Sequence, residues 1–284
     1  MTPRRSFLKK SLVLSAVAAF FPGSSVASDQ KEQPGEGPSP IDNLKKEGVQ
    51  FFLRKGYRDV GELPLITNEP FNGGLRYDED MGDVREAAFR VQRCARIEDV
   101  HGKGKRGVLP HFTLLAASAP LTAKPEFFSE VFEFLITARQ LDPKKMTITT
   151  TRMAEVYFLL FKRWGILDQQ IRHRDIEEAK ARGDGSGYFA PRGHPRCPGA
   201  PSFSVHYQLV DGEEIELAEM SFPEKTAGQS QAVGGIGLER LAMAEGMVAP
   251  SWEEALQKMH KHVAGELKER GGDAPEGYKR LANG

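Results

Sequence analysis

The alternation of apolar and polar residues is clearest in two runs, 203–210 and 213–222, which flank Asp211 and Gly212. Side chains of a strand alternate between its two faces, and Asp-Gly favours a two-residue type I′ turn. The two runs therefore predict a β-hairpin. Three further runs predict strands: the C-terminal half of 86–97, the segment 108–117, and the β-branched segment 146–151.

Apolar residues at helical spacing predict several helices between these strands. Asp42 or Asn43 can cap a helix that ends at Gly56, and Pro125 opens an amphipathic helix to about residue 140. Ser251 and Glu254 form a capping box for a last helix to about residue 270. Other helices are predicted at 152–165, 167–181 and 238–246. The mixture predicts an α+β fold, an antiparallel β-sheet flanked by helices.

The first 27 residues have the pattern of a signal peptide. Four basic residues precede an apolar run at 12–21, and small residues follow up to Ala27. The Arg-Arg-x-Phe-Leu-Lys pattern at 4–9 resembles a twin-arginine signal, which moves folded proteins across a bacterial inner membrane. We therefore expect export to the periplasm. If the true start lies downstream, the protein is cytoplasmic.

Composition separates this segment from the rest of the chain. The 284 residues hold 39 basic and 39 acidic side chains; four basic and no acidic ones lie in 1–27, which leaves 35 against 39, a formal charge of −4. Residues 28–41 predict a disordered Pro/Gly linker, 42–248 a folded domain and 249–284 a helical tail. A charge of −4 argues against a dedicated nucleic-acid binder, and two cysteines argue against a disulfide scaffold. No later apolar run predicts a membrane span.

Two stretches could bind phosphates. On a strand, Arg96 and Glu98 would project from one face. A guanidinium there can bind a phosphate, and a carboxylate there can accept from an amine. The same spacing also fits a solvated ion pair. Glycines at 234–237 precede a predicted helix with Arg240 in its first turn, which suits a polyphosphate, although a packing turn would use the same glycines. Neither this stretch nor the loop 101–107 is a Walker A loop, because no Lys-Ser/Thr follows.

No metal site is predicted. His194 with Cys197, and His260 with His262, have spacings that could begin a zinc site, but neither has a convincing second pair. Cys94 and Cys197 could pair after export, although sequence cannot place them within bonding distance.

Taken in order, these stretches resemble the catalytic domain of class II aminoacyl-tRNA synthetases, most closely the alanyl enzymes. The Arg-x-Glu at 96–98, the loop 101–107 and the returning strand resemble motif 2, and residues 235–240 resemble motif 3. Residues 92–96 resemble the family's Gln-x-Cys-Ile-Arg, and 214–216 its Glu-Ile-Trp. The resemblance covers about residues 44–248.

The resemblance implies roles for individual residues. Arg96 would contact the α-phosphate of ATP, Glu98 the adenine amino group and Arg240 the γ-phosphate, while Phe112 would stack on adenine. Gly237 and Glu239 lie in the same nucleotide-binding motif. The implied reaction is attack of an amino-acid carboxylate on the α-phosphate, giving an aminoacyl adenylate, with Mg²⁺ neutralising the polyphosphate.

The sequence also departs from the alanyl pattern. Val233 replaces the Asp before motif 3, Leu217 the Asn of Glu-Ile-Trp-Asn, and Phe189 the Trp of Asn-Phe-Trp. Because of these replacements, the resemblance does not imply an alanine pocket. The acidic residue that closes motif 2 is also replaced, by Leu115 or Ala116. Glu219 is the nearby candidate to meet a substrate amino group, or it is simply solvated; Phe189 and Glu219 are the candidate substrate residues.

Two functions therefore stay open. The chain could activate an amino acid or similar carboxylate with ATP, or be an exported non-catalytic paralogue that binds a nucleotide or amino acid. We expect no tRNA-binding or editing domain. The acidic charge makes tRNA an unexpected partner, although basic residues at 103–106 leave it open. The resemblance also implies a homodimer.

Overall fold

A β-sheet organises the fold, and six neighbouring strands at its centre are antiparallel. The structure is a computed structural model that describes residues 39–62, 86–96, 98–190, 199–222 and 231–270. The strands in these ranges are β1 Arg58–Asp59, β2 Ala88–Ala95, β3 His111–Pro120, β4 Met146–Thr150, β5 Ile171–His173, β6 Tyr188–Phe189, β7 Ala200–Gln208, β8 Glu214–Ser221 and β9 Gln231–Gly237. Their order in the sheet is β1-β2-β3-β9-β8-β7-β4-β5, and β6 pairs with β7. The edge pairs β1/β2 and β4/β5 are parallel.

Helices flank this sheet, so the predicted α+β class is confirmed. The α-helices are α1 Pro40–Arg54, α2 Phe127–Phe132, α3 Phe158–Arg163, α4 Ile176–Arg182, α5 Leu238–Ala244 and α6 Trp252–Arg270. A π-helix, Glu133–Ala138, continues α2, and 3₁₀-helices span Glu98–His101, Pro143–Lys145, Arg152–Tyr157 and Asp168–Gln170. No helix within the described ranges is long and apolar enough to cross a membrane.

One face of the sheet is apolar and packs against aromatic side chains from α2 and α3. The rings of Phe132 and Phe203 stack with centroids 6.3 Å apart, and Phe161 meets Phe132 edge-on at 5.8 Å. All three side chains are completely buried. The opposite face, here called the polar face, carries Gln92, Phe112, Ser118, Ser204 and Glu219, as the alternation along the paired strands requires.

Several predicted elements are confirmed. The hairpin β7/β8 forms, and β9 leads through Gly237 directly into α5. The capping box of α6 is present, since Ser251 and Glu254 exchange hydrogen bonds of 2.7 and 3.2 Å. The hairpin turn differs from the prediction. Gly212 has a φ of +88° but Asp211 has no positive φ, so this is not a type I′ turn.

Other boundaries were predicted wrongly. Helix α1 begins at Pro40, because the Ser39 hydroxyl accepts from the Asp42 N–H at 3.2 Å and thus caps the helix. The prediction of one helix over 167–181 is wrong in its first half, where Ile171 is buried in β5 and pairs with Ile148. Tertiary burial has overridden the helical spacing there.

The strand before the loop 101–107 also ends earlier than predicted. Strand β2 stops at Ala95, and Glu98 begins a 3₁₀-helix, so Arg96 and Glu98 are not on one face of a strand. Arg96 still pairs through its backbone, because its N–H donates to the Pro110 carbonyl at 2.8 Å. The predicted signal peptide, most of the predicted linker, His194 and Cys197 lie outside the described residues.

The aromatic layer gives a stability prediction. Replacing Phe132 by Ala should lower the free energy of unfolding by about 3–5 kcal/mol, because a fully buried ring is lost and a cavity is left. Urea unfolding of the purified protein measures this. Leu159→Ala is the control, since Leu159 is 79% exposed and its loss should change little. A Phe132→Ala protein as stable as the wild type would contradict this packing.

Candidate functional site

A β-bulge in β8 brings two carboxylates to the polar face. Opposite Val205 and His206 the register shifts, so that Leu217 has no partner of its own. Leu217 and Ala218 both enter the apolar core, and Glu216 and Glu219 consequently share the other face. Strict alternation would have placed these two glutamates on opposite faces.

Glu219 lies half-buried between β7, β9 and the segment 183–187. It pairs across the sheet with Ser204 and Gly235, and a Cβ atom at Gly185 would come within 2.1 Å of its carboxyl carbon. Burial, followed by the charge of Glu216, raises the pKa of Glu219 to about 8, against the opposing charges of Arg96 and Arg240. Within the described residues no hydrogen bond engages this carboxyl group.

Arg240 is fixed at the start of α5 by two contacts. Its Nε donates to the Gly107 carbonyl at 2.7 Å, and its Nη1 lies 3.1 Å from Oε2 of Glu216. A Cβ on Gly237 would sit 3.4 Å from Cδ of Arg240, so this glycine lies directly beside the arginine stem. The guanidinium is therefore oriented before any ligand binds.

Arg96 and Phe112 form the second part of the cluster. The guanidinium carbon of Arg96 lies 5.5 Å from the ring centroid of Phe112, a cation–π distance. Phe112 is opposite Cys94 in the β2/β3 ladder. Phe112 and Glu216 lie on the same face of the sheet as Glu219, so Arg96 beside Phe112 and Arg240 beside Glu216 border that face. The Glu98 side chain lies outside the described residues.

Glu239 engages the sheet. Its Oε2 accepts from the Thr113 N–H at 2.7 Å and its Oε1 from the Thr113 hydroxyl at 3.0 Å. Burial raises its pKa despite these bonds. Glu239 thus joins α5 to β3 beside Phe112.

Phe189 lies at the end of β6, where it pairs with Ala200 and is half-buried. The same short strand borders the segment 183–187, since Asp184 forms a bridge with Phe189. This segment, whose Gly185 lies against the carboxyl group of Glu219, therefore connects Phe189 to Glu219.

The basic loop 101–107 is tied down by carboxylates. Arg106 forms ion pairs with Asp211 and Glu213 of the hairpin turn. Lys103 lies 3.0 Å from Glu253 and over the ring of Trp252, both on α6. Two of the loop's three basic side chains are thus partly neutralised, which weakens its suitability for a nucleic-acid phosphate backbone.

His111 and His262 contact each other, and Cys94 is buried. Nε2 of His111 lies 3.0 Å from Nδ1 of His262, and burial followed by the charge of His262 lowers the pKa of His111 to about 4. Burial raises the pKa of the Cys94 thiol to about 12, which keeps it protonated. Within the described ranges no three His, Cys, Asp or Glu side chains are grouped as metal ligands.

Three contributors were missed by sequence reasoning: Glu216, Ser204 and Gly185. Only Gly185 had a usable signal, because it lies in the glycine-rich run at 183–187. The role of Glu216 depends on the bulge, which the sequence pattern does not reveal.

Comparison with protein-family models and with curated protein sequences finds no match. Solved structures that match in part include several titled as aminoacyl-tRNA synthetases. A pyrrolysyl-tRNA synthetase from Desulfitobacterium hafniense is 14% identical over 73% of this chain and 69% of its own, with a TM-score of 0.40. The S. aureus histidyl enzyme is 12% identical over 84% of this chain and 82% of its own, with a TM-score of 0.39. The Entamoeba histolytica aspartyl enzyme is 14% identical over 76% of this chain and 57% of its own, with a TM-score of 0.35. These similarities are too low to support an argument on function.

The Glu219 environment predicts a pH-dependent stability. Because its pKa is raised from 4.5 to about 8, the stability that Glu219 contributes is fully present below about pH 4.5 and is lost as the pH rises through about 8. The permanently neutral Glu219→Gln variant should therefore gain stability over wild type as the pH rises from about 5, with the gain levelling above about 8.

Urea unfolding at a series of pH values measures this gain. Glu213→Gln serves as the control, because Glu213 is exposed in the hairpin turn and its replacement should give no such pH-dependent gain. A Glu219→Gln gain that is constant with pH would contradict the buried, raised-pKa carboxyl group.

Proposed function

We propose that the chain is a class II aminoacyl-tRNA synthetase-like domain that binds ATP and an amino acid, or a similar carboxylate, and joins them as an acyl adenylate. The observation that carries the proposal is the placement of Phe112 and Glu219 on one face of an antiparallel sheet, with Arg96 beside Phe112 and Arg240 held by Glu216 on the same face. The motif resemblance in the sequence supports the same assignment.

The chemistry that this cluster can perform is phosphoryl-centred and needs no protein nucleophile. Two guanidiniums offset the charge that develops when a carboxylate attacks the α-phosphate and pyrophosphate leaves. Arg96 is the candidate for the α-phosphate and Arg240 for the γ-phosphate. Phe112 offers an aromatic face to the base, with Arg96 close to that ring.

Glu219 is the candidate for the substrate amino group. An ammonium placed beside it would favour the ionised carboxylate and lower its raised pKa. The carboxyl group of Glu219 therefore suits an α-amino acid more than a carboxylate without an amine.

Mg²⁺ would enter with the nucleotide and neutralise its phosphates. Glu216 and Glu219 supply the carboxylate chemistry that Mg²⁺ prefers, but Glu216 is occupied by Arg240. We therefore assign no residue of the described ranges as a dedicated metal ligand.

A second function is favoured by one observation. The residue that closes motif 2 in the resembled family is acidic, whereas this chain has Leu115 and Ala116, which are buried in β3. An exported binding module that holds a nucleotide or amino acid without adenylation would tolerate this loss. The twin-arginine-like signal at 4–9 supports such a role, since nucleotide is scarce outside the inner membrane.

Nucleotide binding is the direct test of the site. ATP at about 100 times its Kd should stabilise the purified protein by about 2.7 kcal/mol, seen as a rise in Tm. Arg96→Ala and Arg240→Ala should each abolish this rise, because each removes a phosphate partner.

Arg172→Ala is the matched control, since Arg172 is an exposed arginine of β5 that pairs with Glu214. It should keep the full ATP-dependent shift. An ATP shift that survives in both Arg96→Ala and Arg240→Ala would refute the site assignment.

A further inference from the structure

Glu216 lies between the two halves of the candidate site. Its Oε2 is 3.1 Å from Nη1 of Arg240, on the nucleotide side. Its Oε1 is 2.9 Å from the Ser204 hydroxyl, on the side of Glu219. The Glu216 side chain is 25% exposed and that of Arg240 is 18% exposed, so neither moves freely in solvent.

Ser204 connects this pair to the segment 183–187. The Ser204 hydroxyl is 3.2 Å from the Gly185 carbonyl oxygen, and Ser202 also donates to that oxygen. Gly185 in turn lies against the carboxyl group of Glu219. A continuous chain of contacts therefore runs from Gly185 through Ser204 and Glu216 to Arg240.

Arg240 depends on Glu216 for one of its two fixed points. The other is the Gly107 carbonyl, which accepts from Nε. A single bond to Nε would leave the guanidinium plane free to rotate about that bond, whereas a second bond at Nη1 fixes its direction. Gly107 itself has a φ of +75° and lies at the end of the loop 101–107.

We propose that Glu216 is a positioning residue, which orients the guanidinium of Arg240 toward the nucleotide phosphates. The nucleotide in this inference rests on the proposed function, whereas the contact between Glu216 and Arg240 does not. Glu216 need not touch the nucleotide to have this effect.

The negative charge of Glu216 has an opposing effect, because it weakens the attraction of Arg240 for phosphate. Geometry and charge can be separated by substitution. In Glu216→Gln the amide oxygen can accept from Arg240 while the amide nitrogen donates to Ser204, so the geometry is kept and the charge removed. Glu216→Ala removes both.

The experiment follows Arg240 and the nucleotide separately. The first measurement follows the ¹⁵Nη–Hη NMR signals of Arg240 in the nucleotide-free protein, because Nη1 is the atom that contacts Glu216. These signals are assigned by their loss in Arg240→Lys. The second is ATP affinity by calorimetry. The control is Glu214→Ala, on the same strand but paired with Arg172.

We expect a protected Arg240 signal in wild type, Glu216→Gln and Glu214→Ala, and a broadened signal in Glu216→Ala. ATP affinity should fall about tenfold in Glu216→Ala, because an unfixed Arg240 loses about one charge-assisted hydrogen bond to phosphate. It should be kept or raised in Glu216→Gln, where the opposing charge is gone. A Glu216→Ala protein with an unchanged Arg240 signal would overturn the proposal, as would equal loss of ATP affinity in Gln and Ala variants. If the NMR result is as expected but the wild type binds no ATP, the proposed function and the nucleotide role of Glu216 are refuted. The contact between Glu216 and Arg240 would still be established.

Discussion

The bulge at Leu217 is the constraint on which the candidate site depends. It sends two consecutive side chains of β8 into the apolar core and thereby leaves Glu216 and Glu219 on one face. Glu216 then reaches Arg240, and Glu219 lies beneath Gly185 with a raised pKa. Without the extra residue, one of the two carboxylates would face the phenylalanine layer, where an unpaired charge is strongly unfavourable.

A second consequence concerns the loop 101–107. Two of its three basic side chains are held by the hairpin turn and α6, and its last residue, Gly107, holds Arg240. The loop therefore supports the part of the candidate site around Arg240 and is less suited to bind a nucleic acid. This agrees with the acidic charge of −4 outside the first 27 residues.

Sequence patterns predicted what depends on local chemistry. The hairpin, the glycine junction before α5 and the capping box of α6 follow from alternation, glycine and capping, and all three are present. Patterns failed where tertiary contacts decide. Ile171 is drawn into the sheet by Ile148, and the bulge is set by packing of Leu217 and Ala218. For this reason the sequence could nominate Arg240 and Glu219 but not the Glu216 that connects them.

The proposed function is activation of a carboxylate with ATP at this site. Exchange of labelled pyrophosphate into ATP, measured across a panel of amino acids and related carboxylates, is its direct test. We predict exchange that depends on one carboxylate or a small group of them, because adenylate formation is reversible. ATP binding without exchange for any member of the panel would contradict adenylation and leave a nucleotide-binding module.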